Sequence, residues 1–230
     1  MSVVDIAVAE ASLASLHARD RTAWALEHLP GAHVLSSSFG AQAAVSLPLA
    51  VSLRPARPRG VVDSGYLFPE TYRFIDTLRE RLSLNLHVTR AAIGPAWHEA
   101  RDGRLWEQGG DGLATYNRVR KVEPMRHALD ELGAGTWIAG LRRDQSRGRA
   151  ATPFIQRHEG RWKVHPIADW SDRDVGRYLV AHGLPYHPLW DEGYVSIGDT
   201  PTTRRFEPGM HPDATRLFGG TRARGLHAAL

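Results

Sequence analysis

The sequence predicts an α/β fold, in which helices cover a parallel sheet and a loop-rich C-terminal extension follows. Short apolar runs typical of buried strands, such as "HVLSSSF" and "RGVVDSG", alternate with segments of helical spacing. These runs lack the apolar–polar alternation of a sheet with one solvated face, so a sheet covered on both faces is favoured. Beyond residue 184, prolines and glycines dominate and the periodicity is lost.

The first half of the chain supplies three predicted strands and the helices between them. Helical spacing covers residues 4–28 and ends at "LPGAH", where Pro30 and Gly31 stop a helix. "HVLSSSF" is the first strand, and "GAQAAVSLPLAVSL" is helical although Pro48 must kink or shorten it. "RGVVDSG" is the second strand. "PETYRFIDTLRERL" is an amphipathic helix that begins at Pro69, and "NLHVTR" is the third strand.

The second half continues this alternation and then changes character. "YNRVRKVEPMRHALDELG" includes a helix, and "GTWIAGLRRDQS" is a strand that leads into an arginine-rich loop. "PFIQRHEGRWKVHPI" predicts a hairpin around Glu159 and Gly160, and "SDRDVGRYLVAHG" a helix capped by Ser171. We therefore expect an α/β domain over residues 1–183 and an extension, residues 184–230, that closes over the same site.

The charge pattern is compatible with an anionic ligand. The 230 residues carry a formal net charge of +4, and only Lys121 and Lys163 among the 29 basic residues are lysines. The planar guanidinium fork matches phosphate and sulfate, although a bias in gene composition explains an arginine excess equally well. The arginines are spread along the chain without a basic block, so no nucleic-acid partner is predicted.

Several function classes are excluded by composition. With no cysteine, the sequence offers no disulfide, thiolate metal site, iron–sulfur cluster or cysteine nucleophile. Its 12 histidines are scattered without the spacing of metal ligands, so no metal is predicted. No apolar run reaches the roughly 18 residues of a membrane span. The first residues do not resemble a secretory signal, and we expect a soluble, cytoplasmic protein.

Three polar stretches follow predicted strands and form the candidate ligand site. They contribute Ser36, Ser37, Ser38 and Gly40 after the first strand, Asp63, Ser64 and Gly65 after the second, and Arg142, Arg143 and Arg147 after the fourth. Taken singly, each could be a capping or solvated loop. The carboxyl ends of parallel strands share one edge, however, and hydroxyls, an acid and guanidiniums together suit a nucleotide with several anionic oxygens.

Longer motifs in the same order carry a family resemblance. "HVLSSSFGAQAAV", "VDSGYLFPETYRFID", "YNRVRKVEPM", "AGLRRDQSRGRA", "KVHPIADWSDRDV" and "GLPYHPLWDEGYVSIGDTPTTR" resemble the phosphoadenylyl-sulfate (PAPS) reductases of bacterial sulfate assimilation. The resemblance runs from about residue 23 to the C-terminus. It implies an adenine-nucleotide α-hydrolase-like fold of the PP-loop type. In that fold the loop with Ser36, Ser37 and Ser38, which we call the serine loop, and the "GLRRDQS" loop hold the nucleotide.

The resemblance is to the branch of the family without an iron–sulfur cluster. Members that reduce adenylyl sulfate hold a cluster with a Cys-Cys pair and a later Cys-x-x-Cys, where this sequence has Tyr116-Asn117 and Asp199-x-x-Thr202. The family's reductant is thioredoxin, and no cofactor is implied. By matching motif, the residues expected at the phosphosulfate are Lys121, Arg216 and His227, and Arg222 of the tail motif is a further expected substrate-binding residue. Frequent dimers in the family suggest a homodimer.

The C-terminal tail departs from the family at the reacting position. The family pattern Phe-Gly-x-x-Arg-Glu-Cys-Gly-x-His reads "FGGTRARGLH" here, so Ala223 and Arg224 replace Glu and the nucleophilic Cys. A guanidinium has no nucleophilic lone pair, and the sequence holds no other thiol for a mixed disulfide with thioredoxin. The pattern predicts a site that holds a sulfonucleotide without reducing it.

Two alternatives remain open at this point. One is a functional PAPS reductase whose thiol comes from outside the chain. The other is a PP-loop enzyme that splits ATP, although such relatives have no use for the tail motif. If Lys121 is a substrate contact, Lys121→Ala should weaken sulfonucleotide binding and leave the folded state nearly unchanged; the alternative is that Lys121 is a solvated helix residue without a role in binding.

Overall fold

The computed structural model describes residues 4–41, 43–53, 59–218 and 221–222 of the chain. The helices are α1 (Ile6–Ala14), α2 (Ala18–His28), α3 (Ser46–Leu53), α4 (Pro69–Arg81), α5 (Pro95–Asp102), α6 (Gly109–Asn117), α7 (Glu123–Glu131) and α8 (Asp172–Ala181). The strands are β1 (Ala32–Ser36), β2 (Arg59–Asp63), β3 (Leu86–Arg90), β4 (Ala134–Ala139), β5 (Ile155–His158), β6 (Arg161–Val164), β7 (Leu217–Phe218) and β8 (Thr221–Arg222). Strands and helices alternate as far as β4, as the apolar periodicity predicts.

The main sheet is largely parallel. Among the described residues it has the order β3-β2-β1-β4-β6-β5, and only β5 runs antiparallel to its neighbour. The predicted hairpin around Glu159 and Gly160 forms, and both turn residues have positive φ, 47° and 78°. Its second strand, β6, pairs in parallel with β4, so the hairpin extends the main sheet.

Helices cover both faces of the sheet, because successive strand residues point to opposite sides. Leu35 of β1 packs in a buried cluster with side chains of α3, α4 and α8. The neighbouring Val34 packs on the other face with Met125 and Leu129 of α7. A third cluster joins α1 and α2 to β5 and β6. This arrangement confirms the α/β class predicted from the sequence.

The N-terminal segment forms two helices where periodicity predicts one. α1 ends at Ala14 with Ser15 as its C-cap, and α2 starts after His17, which is extended (φ −80°, ψ 161°). The buried guanidinium of Arg21 on α2 donates to the carbonyl oxygen of Leu13 (2.8 Å) and pairs with Asp169 (2.6 Å). Folding α2 back thus satisfies the open end of α1 through a contact that local spacing does not reveal.

Two helices with a proline in the first turn add detail that the sequence did not predict. Pro48 lies in the first turn of α3, so it shortens the helical segment rather than kinking it. Helix α5, with Pro95 as its first residue, has no counterpart among the predicted elements. It packs beside the loop after β2, since Pro95 lies against Gly65.

The C-terminal extension lies against the loop that follows β1. In its described part it contains 3₁₀ turns and the short β7–β8 hairpin. Leu189 and Ile197 form a small buried cluster with Ala41. The boundary at residue 184 stays a prediction. None of the helices in the described ranges combines the length and apolar character needed to cross a bilayer.

Candidate functional site

The carboxyl ends of β1, β2 and β4 lie at one edge of the sheet. Ser36, the last residue of β1, stands opposite Gly60 of β2 and Ala139 of β4 in parallel register. The loops that follow these three strands therefore leave the sheet on the same side. They are the serine loop after β1, the loop with Asp63, Ser64 and Gly65 after β2 (the Asp63 loop) and the loop with Arg142, Arg143 and Arg147 after β4 (the arginine loop). In a parallel α/β sheet this edge is where ligands bind.

The serine loop keeps two of its hydroxyls inside the protein. Ser36 is buried, and its Oγ accepts a hydrogen bond from the indole Nε1 of Trp137 (2.7 Å). Ser37 Oγ accepts from the backbone N–H of Phe39 (3.1 Å), whereas Ser38 is exposed. Phe39 is a buried non-glycine residue with φ of 47°. Such backbone strain persists only where the surroundings fix it, and it is frequent at ligand sites.

Gly40 marks a close approach between the serine loop and the extension. A Cβ atom at this position would lie 2.9 Å from the carbonyl oxygen of Ile197. That separation is too short for a side chain, so glycine is required by packing rather than by a positive φ. The contact brings the segment that contains Asp199 to the sheet edge.

Asp63 organises the loop that follows β2. Its carboxylate accepts hydrogen bonds from Gly65 N (2.9 Å), the Tyr72 hydroxyl (2.7 Å) and Arg90 Nε (2.8 Å). Burial would raise the pKa of Asp63, but the hydrogen bonds from Arg90, Tyr72 and Gly65 hold it below its usual value. Gly65 has φ of 81° and lies against Pro95, so the tight turn needs glycine.

A buried network around Asp199 joins this loop to α6 and to the extension. Asp199 Oδ2 lies 2.6 Å from Lys121 Nζ and accepts from the Tyr116 hydroxyl at 2.6 Å, while Oδ1 accepts from Ser64 Oγ at 2.7 Å. All four side chains are buried. We call this set, Ser64, Tyr116, Lys121 and Asp199, the Asp199 network. It satisfies a buried carboxylate with three donors, as a buried charge requires.

The charges of the Asp199 network shift the pKa values of its members. Burial alone would raise the pKa of Asp199, but Lys121 and the donated hydrogen bonds hold it below its usual value. Burial lowers the pKa of Lys121 against the opposing effect of Asp199, and the positive charge of Arg216 lowers it further. Burial and the Asp199 carboxylate raise the pKa of Tyr116, which keeps its phenol protonated as a donor.

A π-helical turn, Arg118–Val122, presents Lys121 to this network. Such turns often occur at functional sites. The preceding residue, Arg120, is also buried and donates through Nε to the carbonyl of Ser64 (2.9 Å) and through Nη1 to that of Ile93 (2.6 Å). Arg120 and Asp199 are not among the site residues predicted from the sequence. Nothing local distinguishes Arg120 from other charged residues, whereas the match of Asp199 to a cysteine position of the cluster-bearing branch was a signal that could have found it.

The three predicted arginines of the loop after β4 differ in their surroundings. Arg142 is buried and donates to Asp172 Oδ1 (2.7 Å) and to the carbonyl of Trp170 (3.1 Å). Arg143 donates to the carbonyl of Thr152 (2.8 Å) and lies over the Phe154 ring (4.6 Å). Arg147 is exposed. Arg142 and Arg143 therefore help to anchor the loop, which leaves Arg147 the most accessible of the three to a ligand.

The C-terminal candidates are described only in part. Arg216 ends a 3₁₀ turn and lies against Gly198, next to Asp199. The backbone of Arg222 belongs to β8 and pairs with Leu217. Arg224 and His227 lie outside the described residues. The structure thus brings Arg216 to the Asp199 network, and the other tail residues remain predictions from the sequence.

Comparison of the sequence with known proteins identifies the family of this chain. Residues 32–205 match the phosphoadenosine phosphosulfate reductase domain, and this range contains β1 to β6 and the Asp199 network. The chain belongs to the phosphoadenosine phosphosulfate reductase family. A phosphoadenosine 5'-phosphosulfate reductase of Xanthomonas campestris pv. campestris (strain B100) is 60% identical over 226 residues, covering 98% of this chain and 94% of the relative. A reductase of Salmonella heidelberg (strain SL476) is 58% identical over 225 residues, covering 98% and 92%.

Solved structures confirm the fold that the family resemblance implies. PAPS reductase from Candida auris, in a phosphate complex, superimposes with a TM-score of 0.76 at 26% identity, covering 89% of this chain and 99% of that one. Candida glabrata FMN adenylyltransferase, in complex with FMN and an ATP analogue, gives a TM-score of 0.58 at 15% identity, covering 89% and 76%. The second likeness shows the shared PP-loop-like fold alone.

In this member of the PAPS reductase family, hydrogen bonds link positions at which, by the motif resemblance, the cluster-bearing branch has cysteines. Tyr116 and Asp199 stand at two of these positions and contact each other directly, and Asn117 and Thr202 at the other two are buried. Because the sequence has no cysteine, an iron–sulfur cluster has no thiolate ligands here. Within the described residues, no group of three or more histidines and acids is placed to hold a metal ion.

Proposed function

We propose that this protein binds 3'-phosphoadenylyl sulfate or adenosine 3',5'-bisphosphate and does not reduce the sulfonucleotide by the cysteine mechanism. The observation that carries the proposal is the chemistry of the tail. Arg224 occupies the nucleophile position and Ala223 the preceding Glu position within a family frame that is kept on both sides, and the sequence contains no thiol. The family identity supports the ligand class, and the loss of sulfur argues against the reaction.

The reaction of the family requires a sulfur nucleophile. The cysteine thiolate attacks the sulfate sulfur and displaces adenosine 3',5'-bisphosphate, which leaves S-sulfocysteine on the enzyme. A thioredoxin thiolate then attacks the cysteine sulfur, sulfite leaves, and the two electrons come from the thioredoxin dithiol. A guanidinium can pair with sulfate or phosphate but cannot form this intermediate.

The arrangement of charges supports retained anion binding. Lys121 and Arg216 lie near each other at the carboxyl edge, and the exposed Arg147 belongs to the loop that follows β4. Ser38 adds an exposed hydroxyl after β1. A ligand with phosphate and sulfate oxygens would meet charge-assisted donors from several loops.

Calorimetry tests the ligand assignment. Titration with PAPS, adenosine 3',5'-bisphosphate, adenylyl sulfate and ATP should rank PAPS or the bisphosphate first, because the family resemblance is to the cluster-free branch. Equal affinity for ATP and PAPS, or binding of none of the four, would contradict the proposal.

A functional reductase is the second candidate, supported by relatives at 60% and 58% identity that are named phosphoadenosine 5'-phosphosulfate reductases. That activity would need a thiol from outside the chain. Incubation of the protein with PAPS and reduced thioredoxin separates the candidates. We expect no sulfite above the protein-free control, and sustained sulfite release would favour the reductase.

Restoring the nucleophile tests whether the site remains aligned for attack. We expect Arg224→Cys, alone or with Ala223→Glu, to accumulate S-sulfocysteine after incubation with PAPS, visible as an added sulfonate in the intact mass. Arg224→Ser is the matched control, since a hydroxyl lacks the nucleophilicity of a thiolate. An unmodified mass for the cysteine variant, at PAPS concentrations that saturate it, would show that the alignment is lost.

A further inference from the structure

We propose that Gly198 is a positioning residue, whose missing side chain leaves the space occupied by the guanidinium of Arg216. The inference rests on the proposed sulfonucleotide binding and identifies how two cations are set for the ligand. The next residue, Asp199, holds Lys121 at 2.6 Å. Two consecutive residues thus contact Arg216 and Lys121, whose positive charges interact.

Space, rather than backbone conformation, explains the glycine. A Cβ atom at position 198 would collide with three atoms of the Arg216 guanidinium, Nη1, Nη2 and Cζ. The φ of Gly198 does not lie in the positive range that favours glycine, so an alanine could adopt the same backbone. What an alanine would change is the position of Arg216.

The turn that contains Gly198 is held firmly, so the arginine must yield. Gly198 N donates to Thr203 Oγ1 (3.1 Å), and Thr200 N donates to the carbonyl of Tyr66 (2.8 Å). Asp199 forms an isolated β-bridge with Leu67 and is buried in its network. A guanidinium at the end of a flexible side chain moves more easily than this backbone.

The electrostatics favour an anion between the two cations. The charge of Arg216 lowers the pKa of Lys121, which means that the two cations repel each other although Asp199 attracts Lys121. An anionic ligand with oxygens on adjacent groups, such as a phosphosulfate or a 5'-phosphate, would relieve this repulsion. The planar guanidinium fork can contact two oxygens, and the ammonium can contact a third.

Replacing Gly198 by alanine tests the positioning role. The variants Gly198→Ala and Gly110→Ala are titrated with adenosine 3',5'-bisphosphate and with adenosine 3'-monophosphate, which lacks the 5'-phosphate. Gly110 is the matched control, because a Cβ there meets no atom within 4 Å and its φ is not positive. We expect Gly198→Ala to weaken bisphosphate binding about tenfold, as the loss of one charge-assisted hydrogen bond predicts. Binding of the monophosphate, and both affinities of Gly110→Ala, should stay unchanged.

A double-mutant cycle distinguishes displacement of Arg216 from general damage to the fold. If the alanine acts by displacing Arg216, then Gly198→Ala/Arg216→Ala should bind the bisphosphate no more weakly than Arg216→Ala alone. Additive losses, equal loss for both nucleotides, or unchanged bisphosphate binding by Gly198→Ala would overturn the inference while the proposed function stands. Absence of nucleotide binding by the unsubstituted protein would overturn both.

Discussion

At the scale of a single residue, Lys121 is a candidate substrate contact and also one half of a buried ion pair. From the sequence, Lys121 is either a substrate contact, whose removal should weaken binding and leave the fold nearly unchanged, or a solvated helix residue. In the structure Lys121 is buried and pairs with Asp199 at 2.6 Å. Removing the ammonium would leave a buried carboxylate without its counter-ion, so from the structure we expect a loss of stability instead of an unchanged fold.

A pair of variants measures this contribution. We expect Lys121→Met to lower the free energy of unfolding by about 3–5 kcal/mol, the usual cost of breaking a buried pair. Lys121→Met/Asp199→Asn, which removes both charges, should recover part of that loss. Urea unfolding measures both values. A double variant as unstable as Lys121→Met alone would show that the unpaired carboxylate is not the cause.

At the scale of helices and strands, the structure agrees with the sequence where a capping residue or a turn residue marks the end of an element. The predicted cap at Ser171 is present: its Oγ accepts from Asp174 N (3.2 Å), and Asp174 accepts from Ser171 N (2.9 Å). This reciprocal pair starts α8, whose Val175 and Leu179 pack in the core. The cap fixes the residue at which α8 begins, and this position determines how Val175 and Leu179 pack in the core.

Loss of this cap should have a small, defined cost. We expect Ser171→Ala to lower stability by about 1 kcal/mol, because the first turn loses an acceptor for its backbone N–H groups. For a chain of this size, that corresponds to a fall in Tm of roughly 2–4 °C by thermal unfolding. Ser171→Thr keeps the hydroxyl and should stay near the parent value. A larger loss in the threonine variant would assign the effect to packing.

At the scale of the whole molecule, buried histidines connect stability to pH. Burial lowers the pKa of both His165 and His187 to about 4. Both rings are fully buried, and His187 uses both nitrogens, with Nε2 2.9 Å from Thr71 Oγ1 and Nδ1 accepting from Leu189 N at 3.2 Å. Neither site favours a charged imidazolium.

Stability should consequently fall as the pH drops from about 6.5 toward 4. The folded pKa values are depressed, so the unfolded chain binds protons first in this window, and each histidine contributes a slope of up to about 1.4 kcal/mol per pH unit. Above the window this contribution is constant. Urea unfolding across pH 4–8 measures the slope. His187→Gln should flatten it, and the exposed His182→Gln should not; equal slopes in all three proteins would refute the assignment.

The sequence alone determined the local architecture and the missing chemistry. The alternation of strands with helical segments, the hairpin at Glu159 and Gly160 and the Ser171 cap depend on periodicity and turn chemistry within a few residues. The lack of a thiol is a matter of composition, and the family follows from motifs in their order along the chain. None of these conclusions requires knowledge of distant contacts.

Only the tertiary structure decided which charges meet. It pairs Lys121 with Asp199, assigns the buried Arg142 to Asp172, divides the N-terminal helix through Arg21, and places Arg216 in the space above Gly198. Lys121 and Asp199, and likewise Arg142 and Asp172, are far apart in the sequence and meet only where the folded chain packs its loops, helices and extension together. Charge pairing depends on distance and burial in three dimensions, so a chain rich in arginine admits many pairings until the fold selects one.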